Sequence, residues 1–320
     1  MQVLITGGLG FIGSNLYLHL VKNGYTVYIY SHQSRQSALK VLSSHPLLKE
    51  ERVSLVCANE PLPDCEIVVN LAGESIAKSF LTRKRLKAIL SSRLEMLELI
   101  VKAYETRPPL MLIGASATGI YINGGYEKLL AESFASSKDN KETNIIKRQQ
   151  SEDFGLSEDA KTEKNIYASL VINIEQATAS SAAMLGCKYA LLRFGVVVGK
   201  EGGIMEILSR LPKFRFLPGD NFVPHILIGD AVNAVKHVIE NHLTGVVNMV
   251  SPLALRLNEL LELCQKQSFF TFYVPRFILH FDRRGALLRV NHSISPMRLR
   301  QSGFLFSFDE LNHKIPEKSH

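Results

Sequence analysis

A chain of 320 residues, 46% of them hydrophobic, can bury one large core or two modest ones, which excludes a disordered protein. Its 37 Lys and Arg exceed 30 Asp and Glu to give +7, but the basic residues are spread along the chain with only short clusters such as "TRKRLK" and "DRRG", so a nucleic-acid partner is not expected. The same excess suits an anionic small molecule.

In chain order, "QVLIT" and "TVYIY" read as strands around the helical "FIGSNLYLHLVKNG", a unit closed by Gly24. The rhythm continues through "VSLVC", "EIVVNLA", a helical pattern from Thr82 to Tyr104, and "LMLIGAS". Continuous apolar strands alternating with helices indicate a parallel sheet covered on both faces. From about 122 to 165 the pattern fails, and "SSKDNKETNIIKRQQSED" reads as an exposed insertion. Regularity returns with a helix around Tyr167, the strand "KYALLRF", the helix "GDAVNAVKHVIENH" and the strand "GVVNMVS". The remainder, from "LNELLELCQKQ" to "SGFLFSF", reads as a smaller helical segment with short strands.

The fold class expected is α/β, a doubly wound parallel sheet with a smaller α+β part. Residues 1–193 carry the sheet, completed by about 226–250, and 194–225 with 251–320 form the smaller part. The first twenty residues are apolar but interrupted by glycines with no basic segment before them, unlike a secretory signal. No later run reaches the ~18 apolar residues of a membrane span, so no membrane partner is expected. Cys57, Cys65, Cys187 and Cys264 lack the close pairing of a metal site and have apolar neighbours, which points to reduced thiols, a cytoplasmic setting and no metal. The protein is expected to be a monomer or a homodimer.

"LITGGLGFIG" sets Gly7, Gly10 and Gly13 between a strand and a helix. That spacing turns the backbone tightly, brings it close to a pyrophosphate and aims the helix N-terminus at it. At the end of the second strand, "YIYSHQSRQ" offers Ser31, His32, Ser34 and Arg35 and no acid, a set favouring the 2′-phosphate of NADP over the bare ribose of NAD. Arg35 is alternatively the solvated start of the next helix. "NLAGES" supplies Ala72 and Gly73 at a strand's carboxyl end beside the cofactor crevice. "GASATG" presents Ser116 and Thr118 at the same edge, to bind a substrate oxygen or to cap backbone.

Taken in order, "ITGGLGFIG", "VVNLAGESI", "RKRLKAILSSR", "GASATGIY", "LLRFGVVVGKEGGI", "PHILIGDAV" and "GVVNMVSP" resemble the extended or atypical branch of the short-chain dehydrogenase/reductase superfamily. Within it, they are most similar to the nucleoside-diphosphate-sugar-epimerase-like family of uncertain substrate. The resemblance spans nearly the whole chain outside the insertion. It implies a Rossmann doubly wound parallel sheet as the dinucleotide-binding domain, a small C-terminal α+β substrate domain, and a nicotinamide cofactor held by Gly7, Gly10, Gly13 and the turn from Asn70 to Glu74. The full cofactor-binding set expected is Gly7, Gly10, Phe11, Ile12, Gly13, Ser31, His32, Arg35, Leu71, Ala72, Gly73, Glu74, Arg93 and Arg193, and the residues after the second strand make NADP preferred and NAD possible. It also implies that Ser116 and Tyr167 match the superfamily's active-site serine and tyrosine. The superfamily's lysine, four residues after the tyrosine, is Val171 here, and "FLPGDNFV" stands where the family tends to have glycine-rich sequence and a tryptophan.

Other candidates keep two readings each. Arg193 meets a phosphate or fixes a loop by the nicotinamide; His225 and Asp230 form a proton relay or are a packed histidine and a helix-start acid. Arg283, Arg284 and Arg289 mark an anionic site or a solvated face. The function expected is an NADP(H)-binding, epimerase-like oxidoreductase acting on a small anionic metabolite or nucleotide sugar. The alternative is a non-catalytic redox sensor that holds the same dinucleotide.

Overall fold

The computed structural model describes residues 1–42, 52–75, 82–121, 166–199, 202–203, 208, 210–265, 268–281, 286–291 and 293–307, without the side chains of Ile166, Tyr167, His280, Ala286 and Leu287. The insertion expected at 122–165, and Arg283 and Arg284, lie outside the described residues.

Two compact units emerge from the contact pattern: Met1–Ala117 with Ser169–Arg193 and Ile228–Val247, and Thr118–Ala168 with Phe194–Leu227 and Asn248–His320. The first is built on a seven-stranded sheet. Its strands are β1 (Gln2–Thr6), β2 (Thr26–Ser31), β3 (Val53–Cys57), β4 (Ile67–Asn70), β5 (Met111–Ala117), β6 (Lys188–Phe194) and β11 (Gly245–Met249), in spatial order β11-β6-β5-β4-β1-β2-β3. This is the Rossmann order, in which the chain reverses direction of travel between β1 and β4. Those two strands run parallel with Thr6 opposite Asn70, so both end at the same crevice.

The helices of this unit are α1 (Phe11–Lys22), α2 (Arg35–Leu42), α3 (Arg83–Tyr104), α4 (Ile166–Leu185) and α5 (Ile228–Glu240). Leu4, Tyr30, Val56, Val68 and Leu112 from five strands pack with Leu97, Ile100 and Tyr104 of α3 and with Ala182 and Leu185 of α4. Their strand neighbours Val3, Ile5, Ile29 and Val69 are just as buried and point to the opposite face by the alternation of a strand. Two-sided burial explains why these strands read as unbroken apolar runs.

The second unit is α+β. It contains β7 (Val196–Gly199), β8 (Phe214–Leu217), β9 (Phe222–Val223), β10 (His225–Leu227), β12 (Leu255–Arg256) and β13 (Phe272–Pro275), paired as β7/β10, β9/β12 and β8/β13. Its core gathers Val198, Phe216, Val223 and Leu255 around Leu257, Leu260, Leu261 and Cys264 of α6 (Leu257–Cys264). Two short helices, α7 (Ala286–Arg289) and α8 (Met297–Gln301), follow. Within 226–250, α5 and β11 join the first unit, while β10 pairs with β7 in the second.

Candidate functional site

Glycine is required at the β1–α1 turn for two separate reasons. Gly7 has φ +72°, and a Cβ there would lie 2.7 Å from the backbone of Leu71 and Ala72, so only a bare Cα lets this turn pass the end of β4. A Cβ on Gly13 would overlap the Gly7 carbonyl, which holds α1 against the turn. Gly10 differs: a Cβ would meet only the Gly7 carbonyl, at 3.2 Å. Gly10 is the N-cap of α1 and lends no side-chain hydrogen bond, and the first turn carries no acid. The helix therefore presents its dipole and its first N–H groups, those of Phe11 and Ile12 among them, at the β1/β4 crevice, an arrangement that suits an anion.

The facing turn, residues 71–75, is fixed from both ends. Asn70 Oδ1 accepts from Thr6 Oγ1 (2.7 Å) and from the Ala72 N–H (3.3 Å). On the other side α3 reaches over. Ser92 Oγ accepts from Glu74 N (3.1 Å), and Arg93 donates to the Glu74 carbonyl (3.2 Å). Arg85 donates to the Ser75 carbonyl (2.7 Å) and pairs with the Glu74 carboxylate (3.0 Å). Arg85, Ser92 and Arg93 are spaced by seven and eight residues, so they share one face of α3. Gly73, at φ +148°, lies so close to Arg93 that a Cβ would come within 2.6 Å of the guanidinium carbon. Burial lowers the Arg93 pKa from the usual arginine value, with the Glu74 charge opposing.

At the end of β2, Ser31 is buried and its hydroxyl accepts from Gln33 N (3.1 Å), while His32 is exposed. Arg35 opens α2, pairs with Glu60 (2.6 Å) and donates to the Leu55 carbonyl (3.2 Å). An acid therefore does stand beside this strand end, supplied by the loop after β3 rather than by β2 itself. Hydrogen bonding to Arg35 is the largest cause holding the Glu60 carboxyl below its ordinary pKa, and the same contact raises that of Arg35.

Ser116 at the end of β5 sits over a buried charge pair. Its hydroxyl donates to Glu175 Oε1 (2.5 Å), and Glu175 takes two bonds from Arg193, Nε to Oε1 and Nη2 to Oε2, both 2.8 Å. Both charged residues are under a tenth exposed. Local packing sets this up. Gly114, two residues before Ser116 on the same face of β5, has no side chain, and a Cβ there would meet Thr178 Cγ2 at 2.8 Å. With α4 drawn that close at Thr178, Glu175 on the same helical face meets Ser116. Arg193 is thus engaged by a carboxylate of α4.

Tyr167 lies in the first turn of α4, with Val171 and Glu175 one and two turns on along the same face, about 12 Å of helix from end to end. Val171 is buried. Thr118 is also buried, its hydroxyl donating to the Phe194 carbonyl (3.3 Å). His225 is 1% exposed with its Nδ1 3.4 Å from the Val223 carbonyl, a packed residue of the second unit, whereas Asp230 is a buried acid in the first turn of α5 in the first unit. Arg289 is half-buried at the end of α7. The sequence reading passed over Glu175, Arg85 and Ser92. For Glu175 a signal existed: a single acid in an apolar helix and a single Arg in the apolar strand "KYALLRF" each need a buried partner of opposite charge.

The strand order, the glycine turn and the crevice at the switch point define a Rossmann-fold protein with a second, smaller unit. The model of the NAD dependent epimerase/dehydratase family matches residues 3–250, and the chain belongs to that family. The epimerase family protein YfhF of Bacillus subtilis is 27% identical over 332 residues, 99% of this chain and 97% of YfhF. The human epimerase family protein SDR39U1 is 27% identical over 335 residues, 99% of each. Among solved structures, human SDR39U1 (isoform2) with NADPH has a TM-score of 0.71 at 24% identity, covering 98% of this chain and 97% of that one. The UDP-glucose 4-epimerase of Thermotoga maritima with UDP-glucose has a TM-score of 0.66 at 21% identity, covering 98% and 97%.

Proposed function

We propose that the first unit binds NADP(H), with the pyrophosphate at the N-terminus of α1, and that the chain is an epimerase-like oxidoreductase acting on a small anionic metabolite or a nucleotide sugar. The observation that carries this reading is the crevice itself. Gly7 and Gly13 are held to glycine by backbone that a Cβ would overlap, whereas a Cβ on Gly10 would meet only the Gly7 carbonyl at 3.2 Å, beside a helix N-terminus without a side-chain cap, where a ligand can approach the backbone. The NADPH in the structure of human SDR39U1 supports the choice of dinucleotide. Arg35 and Glu60 are both exposed, and an exposed ion pair contributes little, so a 2′-phosphate competes readily for the guanidinium. Ser31, His32 and Ser34 complete a set of donors around it. The proposed setting is a reducing, cytoplasm-like compartment, supported by four free cysteines.

Bound there, the dinucleotide supplies or accepts the hydride. Ser116 holds the reacting oxygen. In the free protein its proton goes to Glu175, and to hold a carbonyl oxygen, which can only accept, the hydroxyl turns that proton to the substrate. Tyr167 supplies the proton from a phenol with no lysine one turn on, and a phenol that stays neutral donates well and is a poor base, which favours carbonyl reduction over alcohol oxidation. A second reading, a sensor that binds NADP(H) without turnover, is favoured by one observation: the lysine position is a buried valine.

The test combines titration calorimetry with NADPH oxidation against a panel of nucleotide sugars and carbonyl acids. Wild type should bind NADPH more tightly than NADH, and Gly10→Val should lose binding with the fold intact; retained affinity in that variant removes the cofactor placement. Turnover should be slow in wild type, faster in Val171→Lys, and lower by about a hundredfold in Tyr167→Phe, the lower end of what a positioned acid contributes. Equal rates in wild type and Tyr167→Phe would displace Tyr167 as the acid. Tight NADPH binding with no turnover in any variant selects the sensor.

A further inference from the structure

Six aromatic side chains of the second unit stand exposed within thirteen residues: Phe269 (106%), Phe270 (80%), Phe272 (60%), Tyr273 (63%), Phe277 (60%) and Phe281 (80%). Ile278 among them and Leu217 on the neighbouring strand are exposed as well. The cause lies in the local structure. β13 pairs with β8, Phe272 opposite Phe214 and Pro275 opposite Leu217, in a sheet of two strands, so Phe272 and Tyr273 point to opposite faces and both reach solvent. Phe277 and Phe281 follow on a single 3-10 turn, their rings in edge contact at 6.3 Å. Large aromatics left in water in such number mark a surface that another body covers.

Charge decides which body. Basic residues run through the whole chain, but acids do not: residues 263–308 contain seven Lys and Arg (Arg276 at the centre of the aromatic stretch) and one acid, Asp282. That segment accounts for nearly all of the chain's +7. A second copy of the chain is a poor occupant, since a two-fold contact would set this cation-rich segment against itself. A single-stranded nucleic acid would use the rings for stacking but has no use for Ile278 and Leu217.

We propose that the 269–281 surface rests on an anionic lipid bilayer, Phe269, Phe270, Phe277 and Phe281 entering the boundary between headgroups and acyl chains while Arg276 and the other cations of the segment meet the headgroups. The absence of a spanning pattern in the sequence, and of a long apolar helix among the described residues, concerns crossing a bilayer and is no obstacle to lying on one. The inference is independent of the proposed enzyme activity.

The experiment is sedimentation of the full chain with vesicles of phosphatidylcholine alone and of phosphatidylcholine mixed with phosphatidylglycerol. The chain should sediment with the mixed vesicles, much less with the neutral ones, and progressively less as salt is added. The pairs Phe269→Ser with Phe270→Ser and Phe277→Ser with Phe281→Ser should each lower the bound fraction by about tenfold, because affinity follows the apolar area inserted. Since these side chains are exposed, the unfolding midpoint and NADPH affinity should stay as in wild type. The proposal is overturned by equal sedimentation with both vesicle types or with neither. It is equally overturned by variants that bind as wild type does, by preference for an oligonucleotide over the mixed vesicles, or by a dimer that the substitutions dissolve.

Discussion

Glu175 and Arg193 form a charge pair that is costly to half-remove. With both side chains at or below a tenth exposed, Glu175→Gln removes a carboxylate that faces the buried guanidinium at 2.8 Å, and the expected loss is about 3–5 kcal/mol in urea unfolding. Replacing both, Glu175→Leu with Arg193→Met, should recover most of it, whereas Ser116→Ala removes one hydrogen bond and should cost about 1 kcal/mol. If the double variant is as unstable as the single one, the pair contributes through packing rather than charge. His225 gives the molecule a second residue-level sensitivity, this time to acid. Burial lowers its pKa from 6.5 to about 4, so between those values the unfolded chain binds a proton that the native chain refuses. The stability contribution is complete above about pH 6.5 and falls as the pH drops toward 4, by on the order of 3 kcal/mol. Denaturant unfolding across that range should lose this slope in His225→Leu.

Among the elements, α3 shows both what a sequence reveals and what it conceals. Its helical pattern marks about Thr82 to Tyr104, and the helix runs Arg83–Tyr104 with the Thr82 hydroxyl accepting from Arg85 N at 3.2 Å. The polar face carried no readable signal, because Arg85, Ser92 and Arg93 bond to carbonyls, an N–H and a carboxylate of a turn ten to nineteen residues earlier, whose shape comes only with the fold. Ser92→Ala should therefore do more than remove the one bond to Glu74 N, worth about 1 kcal/mol in unfolding. By freeing the turn beside the crevice it should also weaken NADPH binding, measured by calorimetry. A loss of stability with unchanged affinity would mean that the turn is not part of the cradle. The apolar pattern placed β5 and α4 as well, but the contact of Ser116 with Glu175 depends on how near Gly114 lets the helix come. A glycine within a strand signals close approach without naming the partner.

For the whole molecule, a parallel sheet covered on both faces followed from the alternation of apolar runs and helices, since two-sided burial leaves little freedom in composition, while the Rossmann domain came with the family resemblance. The aromatic surface of the second unit was invisible at that level: "SFFTFYVPRFILHF" falls in a segment that reads only as helical with short strands, and a two-stranded sheet with both faces open places its rings in water. The discontinuous make-up of the first unit bears on how the protein is made. β5 is bordered on one side by β4 and on the other by β6, which begins some seventy residues later, and β11 completes the sheet only near residue 249. A ribosome adding about 5–20 residues each second thus leaves the β6-side edge of β5 open for several seconds, longer than local pairing takes. During that interval the growing polypeptide displays a half-finished apolar sheet with an unpaired edge, the kind of surface on which nascent chains associate wrongly.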